Sequence, residues 1–80
     1  MRIWWHRNAR IYEGSPVEIV RQMQLQDMGK RHISLGEFVD ATVHEAEHWG
    51  FTLTVHGETE EERATSLIAS MLNTQLARPV

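Results

Sequence analysis

The chain has 80 residues, of which 41% are hydrophobic and 24% charged, and its formal net charge is −3. It contains no cysteine, which excludes disulfides, thiolate nucleophiles and cysteine-based metal sites. No apolar run approaches the ~20 residues of a membrane-spanning helix, and the first residues lack the apolar core of a signal peptide. We therefore expect a single domain over residues 1–80 that is cytoplasmic and does not bind membranes.

The N-terminal stretch is predicted to form a β-hairpin, with residues 2–6 paired to residues 10–13. Its large side chains are those that favour strands, whereas the central pair Arg7 and Asn8 suits a turn. Alternation along the first strand separates two faces. One face then carries Ile3 and Trp5, and the other carries Arg2, Trp4 and His6.

A first helix is predicted from Pro16 to about Asp27 or Met28. Ser15 is the expected capping residue, and Glu18 stands three residues later, where it completes a capping box. Proline suits the first helical position because its missing N–H would have no partner there.

The most regular helical pattern runs from the capping residue Ser34 to Gly50, with Glu37 completing a second capping box. Gly50 follows the last periodic residue, where a left-handed helix end belongs. A rotation of about 100° per residue gives one apolar stripe directed at the core. The stripe comprises Leu35, Phe38, Val39, Thr42, Ala46 and Trp49. His44 and His48 lie almost opposite it and should face solvent.

Residues 44–48 spell the string HExxH, in which two histidines of metalloproteases bind zinc and the glutamate activates water. That chemistry also needs a third protein ligand and a cleft that excludes bulk water. Eighty residues leave little chain for such a cleft, and a longer form of the motif needs glycine and histidine where Phe51 and Thr54 stand. We expect no enzyme, no catalytic residue and no cofactor. His44 and His48 are only weak candidates for a surface metal site, and a zinc hydrolase is the least favoured alternative.

Residues 51–56 alternate between apolar and polar side chains, which predicts a half-buried strand. Gly57 should end that strand. A last helix is then expected after the capping residue Thr59, with Glu62 completing a third capping box and Arg78-Pro79 ending the helix.

The predicted order β-β-α-α-β-α indicates an α+β fold. It would have a small antiparallel sheet of about three strands, with three helices packed on one face. A three-helix bundle with a loose N-terminal arm is the alternative.

Charge is distributed unevenly along the chain. Residues 1–12 carry three arginines and no acid, whereas residues 34–80 carry eight acids and two arginines. Aromatic rings can stack on bases, guanidiniums can bind phosphate or carboxylate oxygens, and both residue types are enriched at interface hot spots. The candidate binding residues are therefore those of the basic, aromatic end: Arg2, Trp4, His6, Arg7, Arg10 and Tyr12.

These features favour a small non-enzymatic binding module that self-associates and acts by occupying a partner protein, as an inhibitor does. The alternative is a protein that sequesters a nucleotide or another small anionic ligand with its N-terminal hairpin. The negative net charge disfavours genomic DNA as a partner. A competing docking surface is the acidic one, comprising Glu37, Asp40, Glu45, Glu47 and residues 58–62. Size and charge of this kind are common among phage and mobile-element products.

Overall fold

Three helices cover one face of a three-stranded antiparallel sheet in the computed structural model, which describes residues 1–80. The strands are β1 (Arg2–Trp5), β2 (Arg10–Glu13) and β3 (Ala77–Pro79), and the helices are α1 (Pro16–Gln26), α2 (Leu35–His48) and α3 (Glu60–Asn73). The sheet order is β2-β1-β3, so the first strand of the chain lies in the centre. The predicted α+β fold, with its three-stranded antiparallel sheet and three helices, is confirmed.

The third strand is formed by residues 77–79 and not by residues 51–56. It pairs antiparallel with β1, which places Trp4 opposite Arg78, and the elements follow one another as β-β-α-α-α-β. The last helix ends at Asn73, before the predicted Arg78-Pro79, and Gln75 turns the chain back with a φ of 66°. Pro79 is tolerated because β3 is an edge strand, where a missing N–H removes no ladder bond.

Residues 51–57, here called the crossing segment, connect α2 to α3 without pairing to any strand. Their backbone binds α3 instead: the N–H of Thr54 donates to Ser70 Oγ at 3.0 Å, and that of His56 donates to Ser66 Oγ at 2.9 Å. Ser66 and Ser70 are four residues apart on α3, a rise of ~6 Å. Thr54 and His56 span a similar distance, ~6.6 Å, only when the segment between them is extended. The predicted alternation is present, with Leu53 buried, but the segment packs beside a helix and not within the sheet.

Each helix begins in a complete capping box, formed by the pairs Ser15–Glu18, Ser34–Glu37 and Thr59–Glu62. The predicted orientation of α2 is also confirmed. Its stripe from Leu35 to Ala46 is buried, Trp49 is half-buried at the helix end, and His44 and His48 are exposed. Gly50 ends the helix with a φ of 87°. The three caps and the apolar stripes therefore fix where each helix starts and which side it buries.

The hydrophobic core lies between the inner face of the sheet and the three helices. The sheet contributes Ile3, Tyr12 and Ala77, and the helices contribute mainly aliphatic and methionine side chains. Leu53 of the crossing segment joins the same core. None of the helices has the length and apolarity that crossing a membrane requires. Because all three helices pack on one side, the other side of the sheet is left uncovered.

Candidate functional site

The uncovered side of the sheet is the first candidate site. Trp4 lies opposite Ile11 on β2 and opposite Arg78 on β3, and directly opposed residues share a face. This surface, here called the open face, comprises Arg2, Trp4, His6, Ile11, Glu13 and Arg78. Ile11 is 52% exposed, and the neighbouring Met1 and Val80 are 55% and 60% exposed. Large apolar side chains therefore meet solvent beside the basic ones.

Trp4 stands at the centre of the open face. The guanidinium carbon of Arg78 lies 5.5 Å from the centroid of its ring, within the range of a cation–π interaction. On the other side the ring of His6 meets Trp4 edge to face, with 5.6 Å between centroids. The Trp4 ring thus lies between two side chains whose N–H groups can donate hydrogen bonds to a ligand.

The six predicted binding residues do not form one surface. Arg2, Trp4 and His6 lie on the open face, as the alternation predicted. Arg7 turns to the opposite side of the sheet, where its guanidinium carbon lies 4.2 Å from the centroid of the Trp49 ring.

Two of the predicted residues take no part in the contacts of Arg78 with Trp4 and of Arg7 with Trp49. Arg10 is exposed near the free edge of β2, opposite Trp5 and therefore off the open face. Tyr12 is only 3% exposed, and its hydroxyl accepts a hydrogen bond from Asn8 Nδ2 at 2.8 Å. Tyr12 is therefore a core residue and not a surface binding residue, contrary to the prediction. Arg78 replaces it, a residue that sequence reasoning missed because it was assigned to a helix end.

A second candidate site is a groove of about 320 Å³ between the hairpin turn, the end of α1 and the side of α2. We call it the hairpin groove. Its apolar lining consists of Trp5, Met23, Met28, Phe38 and Trp49. Its volume lies within the ~300–1,000 Å³ of typical small-molecule pockets, which share this combination of an apolar lining and a few polar groups.

The polar groups of the hairpin groove are only partly matched. Lys30 contacts the carboxylates of both Asp27 and Glu45, so its charge is neutralised. Arg7 has no carboxylate partner, and the indole N–H of Trp5 is buried without a hydrogen-bond acceptor. A buried donor without a partner is uncommon in native structures. The groove is thus lined by an arginine without a carboxylate partner and by Trp5, whose indole N–H is buried without an acceptor.

The HExxH string lies on an exposed face of α2. The rings of His44 and His48 are 5.3 Å apart between centroids, and Nδ1 of His48 lies 3.3 Å from the carbonyl oxygen of His44. No group of three potential ligands from His, Asp or Glu surrounds a point where a metal ion could sit. Glu45 binds Lys30. The pair of histidines is therefore a solvated surface feature without the walls of a cleft.

Much of the predicted acidic surface serves the fold. Glu60 accepts a hydrogen bond from the N–H of Gly36 at 2.8 Å, which connects the starts of α2 and α3. Asp40 contacts Arg63, again between these helices. Glu62 accepts from the backbone N–H and the hydroxyl of Thr59, and these bonds lower its pKa below the usual 4.5. Acids with internal partners are less available to dock a basic protein.

Comparisons with protein-family models, curated proteins and solved structures found no match for this chain. The geometry of the two candidate surfaces is therefore what indicates a function. The open face offers an exposed aromatic and apolar patch with arginines, whereas the hairpin groove offers a small concave space.

Proposed function

We propose that this protein is a small non-enzymatic interaction module that binds a partner protein through the open face of its sheet. The observation that supports this proposal is the position of Trp4 between Arg78 and His6, on a side of the sheet that no element of the chain covers. Tryptophan and arginine are the residue types most enriched at interface hot spots.

The composition of the open face indicates the chemistry of the partner. Arg2 and Arg78 are opposed by a single acid, Glu13, so the face is basic in a protein whose net charge is −3. Guanidiniums bind carboxylates in a bidentate manner, and Ile11 and Trp4 provide apolar area beside them. The expected partner surface is therefore an apolar patch with carboxylates at its rim. The acidic remainder of the chain would orient such a partner by repelling it elsewhere.

Binding of this kind requires no chemistry from the module, which acts by occupying the surface of its partner. The test is a titration of candidate partner proteins with the wild type and with the Trp4→Ala and Arg78→Ala variants. Each substitution should weaken binding by about 2 kcal/mol, as at other hot spots, while the circular dichroism spectrum stays unchanged. His44→Ala, on the exposed side of α2, is the matched control and should bind as the wild type. Unchanged affinity in both open-face variants would show that the site lies elsewhere.

The hairpin groove supports a second candidate function, the sequestration of a small planar anion such as a nucleotide. Here the supporting observation is the guanidinium of Arg7, which lies over the Trp49 ring in the lining of the groove and has no carboxylate partner. A planar ring could stack within the apolar lining, and an anionic group could bind Arg7.

Quenching of tryptophan fluorescence during titration with nucleotides tests the second candidate. Arg7→Ala should weaken such binding, whereas Arg78→Ala, an equal change of charge on the open face, should leave it unchanged. The opposite pattern would assign the ligand to the open face. An absence of saturable quenching would remove this candidate.

A further inference from the structure

The crossing segment has the sequence of a strand but no strand beside it. In an extended backbone, the N–H and C=O groups of successive residues point to opposite edges. One edge, formed by Thr54 and His56, is bound to serines of α3. The other edge, formed by the N–H and C=O groups of Leu53 and Val55, makes no hydrogen bond within the chain.

The side chain of Leu53 belongs to the core, and the whole residue is 5% exposed, whereas Val55 is half-buried. The backbone N–H and C=O groups of both residues have no partner within the chain. Buried backbone groups almost always have partners, so groups without a partner in the chain are expected to meet water. A row of this kind is a template for strand addition. Edge strands are commonly protected by lysine, proline or inward-pointing charges, but residues 51–56 contain none of these. Three of the main residue types of the segment strongly favour strands, namely phenylalanine, threonine and valine.

We propose that the crossing segment pairs antiparallel with the crossing segment of a second copy of this chain, about a two-fold axis at Thr54. In this register Leu53 lies opposite Val55 of the second copy, and the two residues exchange their N–H···O=C bonds. The symmetry repeats the same exchange on the other side of the axis. Thr54 then lies opposite Thr54 of the second copy. This position is between the two hydrogen-bonded pairs, where side chains approach most closely.

A second copy fits this edge because the segment is complementary to itself. The axis places threonine opposite threonine, a favourable cross-strand pair, and places Thr52 opposite His56 of the second copy. No charged side chain of residues 51–56 is opposed to another. A two-fold contact also uses both free edges at once, so it closes as a dimer and does not extend into a fibre.

Pairing at the crossing segment is independent of the proposed partner-binding function. The open face points away from the helices, so it stays free in the dimer, which would present two copies of it. Dimerisation and partner binding should respond to salt in opposite directions. Two molecules of net charge −3 repel each other, so added salt should strengthen the dimer, whereas it should weaken the binding of a carboxylate-rich partner to the arginines of the open face.

Substitution of Thr54 tests the axis directly. Its side chain is exposed and makes no hydrogen bond in the monomer, so Thr54→Lys and Thr54→Glu should leave the fold intact. Each variant places like charges opposite one another across the axis, and dimerisation measured by sedimentation equilibrium should weaken about fivefold or more. An equimolar mixture of the two variants should regain a dimer, because lysine then faces glutamate. Thr65→Lys, an equal change of charge on the exposed side of α3, is the control.

The outcomes separate the proposal from its alternatives. A wild type that stays monomeric from micromolar to millimolar concentration overturns the proposal and leaves the edge to a strand of a different protein. A dimer that survives both Thr54 variants but is lost in Trp4→Ala also overturns it, since association then uses the open face. Loss of partner binding in Trp4→Ala with an intact dimer supports both proposals, whereas a wild type that binds its partner but stays monomeric overturns only the pairing of crossing segments.

Amide hydrogen exchange provides a second readout at single residues. The N–H groups of Leu53 and Val55 should exchange rapidly in dilute protein and become protected as the concentration rises. The N–H groups of Thr54 and His56 are already bonded to α3, so their exchange should depend little on concentration. Protection that appears at neither Leu53 nor Val55 in concentrated protein contradicts the proposed pairing.

Discussion

The guanidinium carbon of Arg7 lies 4.2 Å from the centroid of the Trp49 ring. This contact joins the turn of the hairpin to the residue that ends α2, two parts of the chain separated by more than half its length. It also forms one wall of the hairpin groove. The position of Arg7 therefore affects both the stability of the fold and the shape of the groove.

Replacement of Arg7 by alanine should lower the free energy of unfolding by about 0.5–1 kcal/mol, the range for an exposed cation–π pair. Urea denaturation followed by tryptophan fluorescence measures this change. Arg10→Ala is the matched control, because Arg10 is exposed in the same hairpin and makes no cation–π contact. Its effect should stay below about 0.5 kcal/mol. Equal losses in the two variants would mean that the Trp49 contact contributes nothing specific.

The capping boxes and the buried side of α2 could be predicted because their signals are local. A serine or threonine followed three residues later by glutamate supplies both partners of the cap within one turn. The spacing of Phe38, Thr42 and Ala46 likewise fixes a side of the helix without reference to any other element.

The partner of the crossing segment could not be predicted, because alternation shows that a stretch is half-buried and extended but not what lies beside it. The acceptors for Thr54 and His56 are serines of α3, a contact between distant parts of the sequence. Residues 77–79 are too few to show a periodic pattern, so β3 could not be predicted from the sequence. For the same reason Arg78 was not placed beside Trp4, although the alternation of β1 correctly grouped Trp4 with Arg2 and His6.

The capping glutamates should make stability depend on pH. The pKa values of Glu18, Glu37 and Glu62 are lowered from the usual 4.5, mainly by hydrogen bonds from the backbone N–H groups of the capping residues and then by their hydroxyls. A carboxyl whose pKa is lower in the folded state stabilises that state while ionised. This contribution is complete above the unfolded pKa and is lost as pH falls through the folded pKa.

Urea denaturation over a series of pH values tests this expectation by comparing neighbours in the first turn of α3. Glu62→Gln keeps a side chain that can complete a capping box but no longer titrates, so the fall in stability below about pH 4.5 should become shallower. Glu61→Gln removes a carboxyl that takes no part in the cap and should change the pH profile less. An identical profile in the two variants argues against the lowered pKa of Glu62.

Replacement of His44 and His48 by alanine should leave the fold unchanged. Both side chains are exposed on α2 and lack a third ligand, so the double variant should differ from the wild type by no more than about 0.5 kcal/mol. Thr42→Ala is the contrasting variant. It removes a buried hydroxyl that donates to the carbonyl oxygen of Phe38, so it should destabilise the fold more than the histidine variant does. A loss of several kcal/mol in the histidine variant, or stoichiometric zinc that survives dialysis of the wild type, would restore the hydrolase hypothesis.

Two glycines with positive φ should respond differently to alanine. A Cβ at Gly57, where φ is 121°, would lie 2.6 Å from Cβ of Glu62, whereas a Cβ at Gly50, where φ is 87°, would meet nothing within 4 Å. Gly50→Ala should therefore cost about 1–2 kcal/mol from backbone strain alone. Gly57→Ala should cost more, because the clash also displaces the cap of α3. Thermal or urea denaturation gives both values, and a milder effect at Gly57 contradicts this ranking.

The serines of α3 should decide how firmly the crossing segment is held. Ser70→Ala and Ser66→Ala each remove the acceptor of one backbone N–H, from Thr54 and His56 respectively. Each should lower the free energy of unfolding by about 0.5–1.5 kcal/mol, the usual net value of such a bond. Amide exchange at Thr54 should accelerate in Ser70→Ala, and at His56 in Ser66→Ala. Thr65→Ala is the control, since its hydroxyl bonds only within α3. Faster amide exchange at Thr54 and His56 in Thr65→Ala would contradict the assignment of the two serines.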